Sequence, residues 1–367
     1  MATIVEIDGI KFLINGRPTY EGITWRGHPM DGLLLSSRMV QAIYDDTNPG
    51  TRTSWAYPDS GQWDPERNTD DFCAALPLYC RHGLLAVTVG LQGGAVFTDR
   101  VYKNYVNSAF TPQGELVDAY QRRMQRVLAA ANAAGMVVIV NYFYWRQAAR
   151  MEGNRAIERA TLNATQWLLD TGYRNILLDI VNDANTWPEG PTLLQPNNVH
   201  HLIEVANSVT SRGRRLLASV STIGGPTLPT PAWQAAEDFH LPHGNGLDAT
   251  QLAQKLHALK HTDIYRRHPK PIVVNEDSIF INNLEAAVVE GCSWGFYCQG
   301  YGSHYRDRMD WTTHAREDTY EALSALPDGA RQPGALILKT SVPFLTSRRN
   351  DRLTRRCLAD AVLKTPA

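Results

Sequence analysis

Short runs of β-branched and aromatic residues alternate with longer amphipathic stretches along most of this chain, and this alternation restricts the fold more than any other feature. Such a pattern is typical of βα units around a parallel sheet. Eight units follow one another from Tyr20 onward, which predicts an α/β fold of the closed (β/α)8 TIM-barrel type rather than an open doubly wound sheet. The predicted strands are residues 20–24, 84–89, 137–142, 176–181, 216–220, 238–241, 272–275 and 293–297.

The segments between these strands carry apolar residues at helical spacing and are predicted to cover the outside of the barrel. Gly135, Gly172 and Gly291 each follow such a segment and precede a strand, as a helix stop followed by a tight turn requires. The predicted helices are residues 116–134, 155–170, 199–211, 249–261 and 284–290.

Irregular segments precede and follow the barrel pattern. Asp-Gly and Asn-Gly turn signals within residues 4–16 predict a short N-terminal β-ribbon. Residues 27–67 are rich in Pro, Gly, Asp and Trp and are predicted to form a long first βα loop. The C-terminal tail carries one predicted helix at residues 318–326 and no complete second domain. Residues 1–367 are therefore predicted to form a single domain.

Composition excludes several classes of function. Because 36 Lys and Arg balance 37 Asp and Glu, we expect neither nucleic-acid nor membrane-surface binding. No apolar stretch reaches the ~18 residues that span a membrane, and no secretory signal is visible, so we predict a cytoplasmic protein, or a secreted one whose signal has been removed. No Gly-rich dinucleotide fingerprint or C-x2-C pair occurs, so we predict no cofactor and no metal ion. The sequence leaves the oligomeric state open.

Two predicted strands end abruptly in polar residues. The fourth reads NILLDIVNDANTW and ends in Asn182 and Asp183, while the seventh reads PIVVNEDS and ends in Glu276. Catalytic groups of (β/α)8 barrels project from the carboxyl ends of the strands, so the two carboxylates are predicted to share one site. Glycoside hydrolysis uses such a pair: one carboxylic acid protonates the leaving oxygen, and the other carboxylate attacks the anomeric carbon or activates water. We therefore predict a glycosidase with a carbohydrate substrate.

These motifs, together with the opening FLINGRPTYEGITWRG, resemble glycoside hydrolase clan A, the retaining (β/α)8 glycosidases, over most of the chain. The resemblance implies that Glu276 is the nucleophile, that Asn182 contacts the sugar 2-hydroxyl and that Trp294 forms the floor of the sugar subsite. It places Asp183 at the acid/base position, where the clan has Glu. The aspartate is one methylene shorter, about 1.5 Å, which is large compared with the precision that catalysis needs. The stereochemical outcome therefore stays open.

Other side chains near the predicted strand ends are candidate ligands of the sugar hydroxyls. Arg26 and His28 follow the first predicted strand. The remaining candidates are Asn141 and Tyr142 at the end of the third strand, and His240 and His243 beside the sixth.

Two alternative functions fit the same residues. A metal-dependent barrel hydrolase would use His240, His243 and Asp183 as ligands of Zn²⁺ or a similar ion. A non-catalytic carbohydrate-binding barrel is motivated by the aspartate at position 183, because a misplaced acid would leave binding without turnover.

Overall fold

An antiparallel ribbon opens the fold in the computed structural model, which describes residues 2–57, 59–81, 83–94, 104–186, 190–277 and 281–297. The ribbon strands β1 (Val5–Asp8), β2 (Lys11–Ile14) and β3 (Arg17–Pro18) pair in sequence order. Asn15 and Gly16 both adopt left-handed conformations, with φ of 55° and 74°, in the turn between β2 and β3. The predicted ribbon is confirmed.

Parallel strands at eight positions close into a ring within these described residues. They are β6 (Ser36–Arg38), β7 (Ala86–Gly90), β8 (Val137–Phe143), β9 (Ile176–Val181), β10 (Leu217–Ser219) continued by β11 (Ser221–Thr222), β12 (Leu241–Pro242), β13 (Val273–Val274) and β14 (Ser293–Phe296). One continuous parallel sheet has the order β10, β9, β8, β7, β6, β14, β13. Pairing of β11 with β12, and a bridge between His240 and Ile272, close the remaining gap. The fold is a (β/α)8 barrel, as predicted.

The first barrel strand is β6, and the prediction of residues 20–24 for this position is wrong. Tyr20 and Gly22 have φ of 50° and 69°, left-handed conformations that interrupt a strand. The chain then forms a two-stranded hairpin of β4 (Thr24–Trp25) and β5 (His28–Pro29). The first barrel strand instead follows the apolar run Leu33, Leu34 and Leu35. The long first βα loop therefore begins after β6 and not at residue 27.

Helices connect successive strands and pack on the outside of the barrel. The long first loop contains α1 (Pro49–Arg52), and Asp64 caps the following helix α2 (Pro65–Arg81) because its Oδ1 accepts the backbone N–H groups of Glu66 and Arg67 at 3.0 Å. The predicted helices within the described residues agree with the structure to within a few residues, but α1, α2, α6 (Pro231–Ala236) and α8 (Asp263–Arg267) are not predicted. The helices are α1 (Pro49–Arg52), α2 (Pro65–Arg81), α3 (Asp118–Ala134), α4 (Gly153–Asp170), α5 (His200–Ser208), α6 (Pro231–Ala236), α7 (Ala249–Lys260), α8 (Asp263–Arg267) and α9 (Ile281–Val289).

The central strands of the barrel are covered on both faces. Every residue of β8 and β9 is buried, as expected for a parallel sheet with helices outside and a packed lumen inside. Polar side chains nevertheless occur in these buried strands, among them Asn141 and Asp179. The predicted helix at residues 318–326 lies outside the described residues. Among the described helices, none has the length and apolar character that crossing a membrane requires.

Candidate active site

A buried guanidinium lies at the carboxyl end of the barrel. Arg38, the last residue of β6, is fully buried, and its Nε lies 2.6 Å from Oε2 of Glu276. Its Nη1 lies 3.7 Å from Oδ2 of Asp179, and its Nη2 donates to Oδ1 of Asn182. Burial disfavours the charge, but Glu276 and Asp179 outweigh burial and raise the pKa of Arg38. The positively charged Arg38 therefore contacts polar groups from both the fourth and the seventh barrel strands.

The side chain of His243 lies between the carboxylates of Asp183 and Glu276. Its Nδ1 lies 2.7 Å from Oδ1 of Asp183 and 3.6 Å from Oε2 of Glu276. Asp183 follows β9 and Glu276 follows β13, so the ends of these two strands meet here. The imidazole is fully buried, whereas 25% of the Asp183 side chain and 8% of the Glu276 side chain are exposed. Both carboxylates are therefore partly exposed to solvent, whereas the imidazole between them is not.

Contacts on both carboxylate oxygens and on the backbone fix Glu276. Nδ2 of Asn245 donates to Oε1 at 2.9 Å, while Oε2 pairs with Arg38. The backbone N–H of Gly244 donates to the carbonyl oxygen of Glu276 at 2.8 Å. Glycine is needed at 244, because a Cβ there would lie 2.7 Å from Cγ of Asp277. The loop after β12 therefore approaches closely enough to orient Glu276.

Asp183 is held in an unusual backbone conformation. Its φ is 50°, in the left-handed region that aspartate tolerates better than most residues. Nδ2 of Asn182 donates to Oδ2 at 2.8 Å, and His243 contacts Oδ1. Burial raises the pKa of this carboxyl, but the charge and hydrogen bond of His243, the charge of Arg38 and the hydrogen bond of Asn182 outweigh it, so the pKa of Asp183 lies below its ordinary value. These contacts favour the carboxylate form.

A third carboxylate, that of the fully buried Asp179 in β9, lies below Asp183 and Glu276. The backbone N–H and hydroxyl of Ser221 donate to its two oxygens at 3.0 and 3.2 Å, and Nδ2 of Asn275 lies 3.4 Å from Oδ2. Burial dominates over the opposing charges of Arg38 and His243 and raises the pKa of Asp179 to about 6. Protonation of this group near pH 6 would change the charge that Arg38 must balance.

We expect Asp179 to make the stability of the protein depend on pH. Its pKa is raised from 3.8 to about 6 on folding, so between these values the folded chain holds a proton that the unfolded chain releases. The contribution of Asp179 to the free energy of unfolding therefore falls as pH rises through this window. Urea denaturation at about pH 4, 5 and 6 should show this fall in the wild type relative to Asp179→Asn. A constant difference between the two proteins across the window would contradict it.

A buried lysine lies behind the site, on α7. Nζ of Lys255 donates to the carbonyl oxygens of His243 and Ile223 at 2.8 and 3.1 Å, and lies 3.4 Å from Oγ1 of Thr222. Burial lowers the pKa of Lys255 to about 8, although Asp183 and Asp277 oppose this effect. Lys255 therefore joins the ends of the fifth and sixth barrel strands and fixes the backbone of His243.

The alternation of side chains along strands separates several candidate residues from this cluster. Tyr142 donates to or accepts from Oγ1 of Thr165 on α4 at 3.1 Å, and His240 contacts Glu237 and the ring of Tyr265 on α8. Both side chains therefore face the helices. Asn141 is buried one layer below the carboxylates, where its Nδ2 donates to the carbonyl oxygen of Asp179 at 3.0 Å.

Trp294 also lies away from the barrel lumen. A Cβ at Gly295 would collide with Oγ of Ser36, two residues before the lumen-facing Arg38, so position 295 faces the lumen and position 294 does not. Trp294 is buried, and its Nε1 donates to Oδ2 of Asp277 at 2.7 Å. The structure does not bring Trp294 to the carboxylates as the floor of a sugar subsite.

Arg26 and His28 lie far from the cluster in the fold. They belong to the hairpin of β4 and β5, which precedes the first barrel strand. Arg26 pairs with Glu285 on α9, and both side chains are exposed. The structure does not bring Arg26 and His28 to the carboxylates. Their prediction as site residues was wrong because it depended on the misplaced first strand.

The sequence reasoning missed Arg38, Asn245 and the placement of two tyrosines. Arg38 ends the run LLLSSR, which has the same apolar-to-polar change as the fourth and seventh strands. Tyr144 is buried beside the site, where burial, followed by Tyr297 and Glu276, raises its pKa. Tyr297 shares the lumen-facing register of Gly295, so it is the aromatic residue of β14's end that adjoins the site. The strand alternation would have indicated Tyr297, but not Tyr144, which follows the end of β8 and has the parity of the helix-facing Tyr142.

The alternative metal ligands do not converge. His240 and His243 face opposite sides of the sixth strand, so they do not chelate one ion together with Asp183. Among the residues that the structure describes, the one group of His, Cys, Asp or Glu with metal-ligand spacing is His200, His201 and Glu204 on α5. It includes none of the site carboxylates.

Comparison with solved structures finds barrels of similar fold at low sequence identity. An apo β-glucosidase has a TM-score of 0.52 and 13% identity, and the match covers 86% of this chain and 99% of that protein. An exo-β-1,4-mannosidase from Opitutaceae bacterium strain TAV5 has a TM-score of 0.50 and 15% identity, covering 92% of this chain and 63% of that protein. A glycoside hydrolase from Bacteroides vulgatus, described as putative, has a TM-score of 0.51 and 11% identity, covering 88% and 60%. No protein-family model and no curated protein matches the sequence. At these identities, the similarity establishes the barrel fold.

Proposed function

We propose that this protein is a glycoside hydrolase whose catalytic pair is Asp183 and Glu276. The observation that carries the proposal is the approach of both carboxylates to one imidazole nitrogen, Nδ1 of His243, at the carboxyl end of the barrel. Two carboxyl groups on opposite sides of a scissile bond are the essential parts of glycosidase chemistry. The similar barrels include a β-glucosidase and an exo-β-1,4-mannosidase, so aryl β-glucosides and β-mannosides are the first substrates to assay.

The distances favour retention of anomeric configuration. Since Nδ1 of His243 lies 2.7 Å from Oδ1 of Asp183 and 3.6 Å from Oε2 of Glu276, those oxygens are at most about 6.3 Å apart. Retaining enzymes have ~5 to 5.5 Å between the carboxyl groups, and inverting enzymes have ~6.5 to 9.5 Å. In the proposed reaction, the Glu276 carboxylate attacks the anomeric carbon while Asp183 gives a proton to the departing oxygen. Water then cleaves the glycosyl ester and returns its proton to Asp183.

The environment of Glu276 fits a nucleophile. Arg38 and Asn245 contact its two oxygens, which favours the ionised form and fixes the direction of the carboxylate. Asn182 accepts from Arg38 through its Oδ1 and donates to Asp183 through its Nδ2, so it links the cation that holds Glu276 to the second carboxylate. Tyr144 and Tyr297 supply aromatic surface beside the pair.

Asp183 is expected to be an inefficient proton donor at neutral pH. Because its pKa is lowered, little of the protonated form exists near neutral pH, and substrates whose leaving group needs no protonation should react best. For Asp183→Asn, we expect kcat/KM to fall ~10²- to 10⁴-fold with phenyl glycosides and by less than about tenfold with dinitrophenyl glycosides. Initial rates over a series of aryl leaving groups measure this. A uniform loss across the series would contradict an acid role, and Asp8→Asn in the ribbon is the control.

Product stereochemistry tests the retaining mechanism. Proton NMR during hydrolysis should show the β-anomer of the product first, followed by mutarotation. Initial formation of the α-anomer would show that Asp183 and Glu276 activate a water instead, and the nucleophile assignment would then be wrong.

A non-catalytic carbohydrate-binding barrel is the second candidate. The lowered pKa of Asp183 favours it, since a carboxyl that stays ionised does not act as an acid catalyst. Binding of glucosides or mannosides in calorimetry, with no turnover of their dinitrophenyl derivatives, would support this candidate over a hydrolase.

A further inference from the structure

A cavity lies on the face of the barrel opposite to the carboxylates. Its volume is about 630 Å³, and its lining comes from the C-terminal end of α4 and from the turn before β10. These segments are αβ connections, which enter the strands at their amino ends, whereas Asp183 and Glu276 follow carboxyl ends. The lining residues are Leu169, Asp170, Gly172, Arg174 and residues 211–214.

Three arginines line this cavity, Arg174, Arg212 and Arg214, and none has a carboxylate within 4 Å among the described residues. Arg215, next in sequence, behaves differently, since its guanidinium forms two bonds with Asp238 at 2.6 and 2.7 Å. Burial, followed by the like charge of Arg174, lowers the pKa of Arg214. Asp170 is the one carboxylate in this lining among the described residues, so three arginines leave the cavity with a net positive charge.

The guanidinium of Arg214 is fixed by neutral groups. Its Nη1 donates to the carbonyl oxygen of Tyr173 at 3.1 Å, and its Nη2 to that of Leu169 at 3.3 Å. These bonds satisfy carbonyls near the end of α4 and orient the side chain without cancelling its charge. The acidic residue in the lining, Asp170, accepts from Nε2 of Gln166 at 3.0 Å through its Oδ1.

The turn at residues 211–214 places a second arginine at the cavity. Ser211 and Arg214 exchange two backbone hydrogen bonds, of 2.9 and 3.0 Å. Arg212 and Gly213 between them have φ of 51° and 72°, so the turn is of the tight left-handed type. The turn therefore brings Arg212 to the same cavity as Arg214.

We propose that this cavity binds an oxyanion, a phosphate or sulfate group carried by a small molecule. Guanidinium groups bind such tetrahedral anions through paired N–H donors, and three of them around one cavity match that chemistry. The volume exceeds what a free phosphate needs, so we expect a phosphate ester to bind better than the free ion. The site is independent of the proposed hydrolysis, because it lies on the other face of the barrel.

Calorimetric titration with inorganic phosphate and with glucose 6-phosphate, at constant ionic strength set by NaCl, tests the proposal. We expect the wild type to bind the phosphate group, and Arg174→Ala/Arg212→Ala to bind at least about tenfold more weakly. The matched control is Arg122→Ala/Arg155→Ala, which removes two exposed arginines and changes net charge equally. Tighter binding of the ester would identify an organic phosphate as the ligand, and equal binding would identify the free ion.

Two results would overturn the proposal. One is equal weakening by the two double variants, which would mean that affinity follows net charge alone. The other is wild-type binding no stronger than that of chloride, which would mean that the arginines are solvated. Thermal melting checks that both double variants fold. Glycosidase rates should be unchanged in Arg174→Ala/Arg212→Ala, so the result does not depend on the assignment of Asp183 and Glu276.

Discussion

Glu276→Gln is expected to lower kcat on every aryl glycoside by at least about 10³-fold while leaving the fold intact. Glutamine has nearly the same shape but cannot form the glycosyl ester. The loss should be independent of the leaving group, unlike that of Asp183→Asn, because the nucleophile is needed whatever departs. Steady-state rates with dinitrophenyl and phenyl β-glycosides measure the loss of kcat and its dependence on the leaving group.

A variant with a smaller side chain at position 276 distinguishes a nucleophile from a residue that only binds the substrate. In Glu276→Ala, added azide should restore part of the activity and yield a glycosyl azide of inverted configuration, because the small anion takes the place of the missing carboxylate. Glu285→Gln, which changes an exposed glutamate on α9, is the control and should keep wild-type rates. Full activity of Glu276→Gln would show that the reaction, if any, occurs elsewhere.

The sequence correctly predicted those barrel strands that a continuous local run of apolar residues identifies. The fourth strand is observed at the predicted residues, Ile176–Val181, because a continuous apolar run bounded by polar residues identifies a strand buried on both faces. The first strand was misplaced because Ser36–Arg38 is short and polar, while residues 20–24 contain more residues with strand preference. Closure of the barrel, which decides between these segments, is a long-range property that local pattern does not contain.

The candidate site shows the same limit at the level of single side chains. The sequence located the strand ends that carry Asp183 and Glu276, but it did not decide which neighbouring residue faces the lumen. His243 and His240 differ by three positions and so face opposite sides, as do Tyr297 and Trp294. The register that fixes these faces depends on pairing between distant strands, for example of Val274 with Trp294.

Arg38→Met should have the largest effect on stability, lowering the free energy of unfolding by about 3–5 kcal/mol. The methionine fills similar volume but leaves two buried carboxylates, Asp179 and Glu276, without their cation. Activity should fall as well, because Nε no longer holds Oε2 of Glu276. Urea denaturation and aryl glycoside rates measure the two effects. Arg122→Met, at an exposed position on α3, should change stability by less than about 0.5 kcal/mol.

A double variant tests whether uncompensated buried charge is the cause. In Arg38→Met/Asp179→Asn, the fully buried carboxylate at position 179 is replaced by a neutral amide, so the unpaired charge at that position disappears. We expect the double variant to be more stable than Arg38→Met by about 0.5–3 kcal/mol, the range typical of coupled neighbours. Its activity should stay low, because the contact between Arg38 and Glu276 is still absent. If the two substitutions instead added independently, Arg38 would stabilise the barrel by packing, and Asp179 would not need its charge.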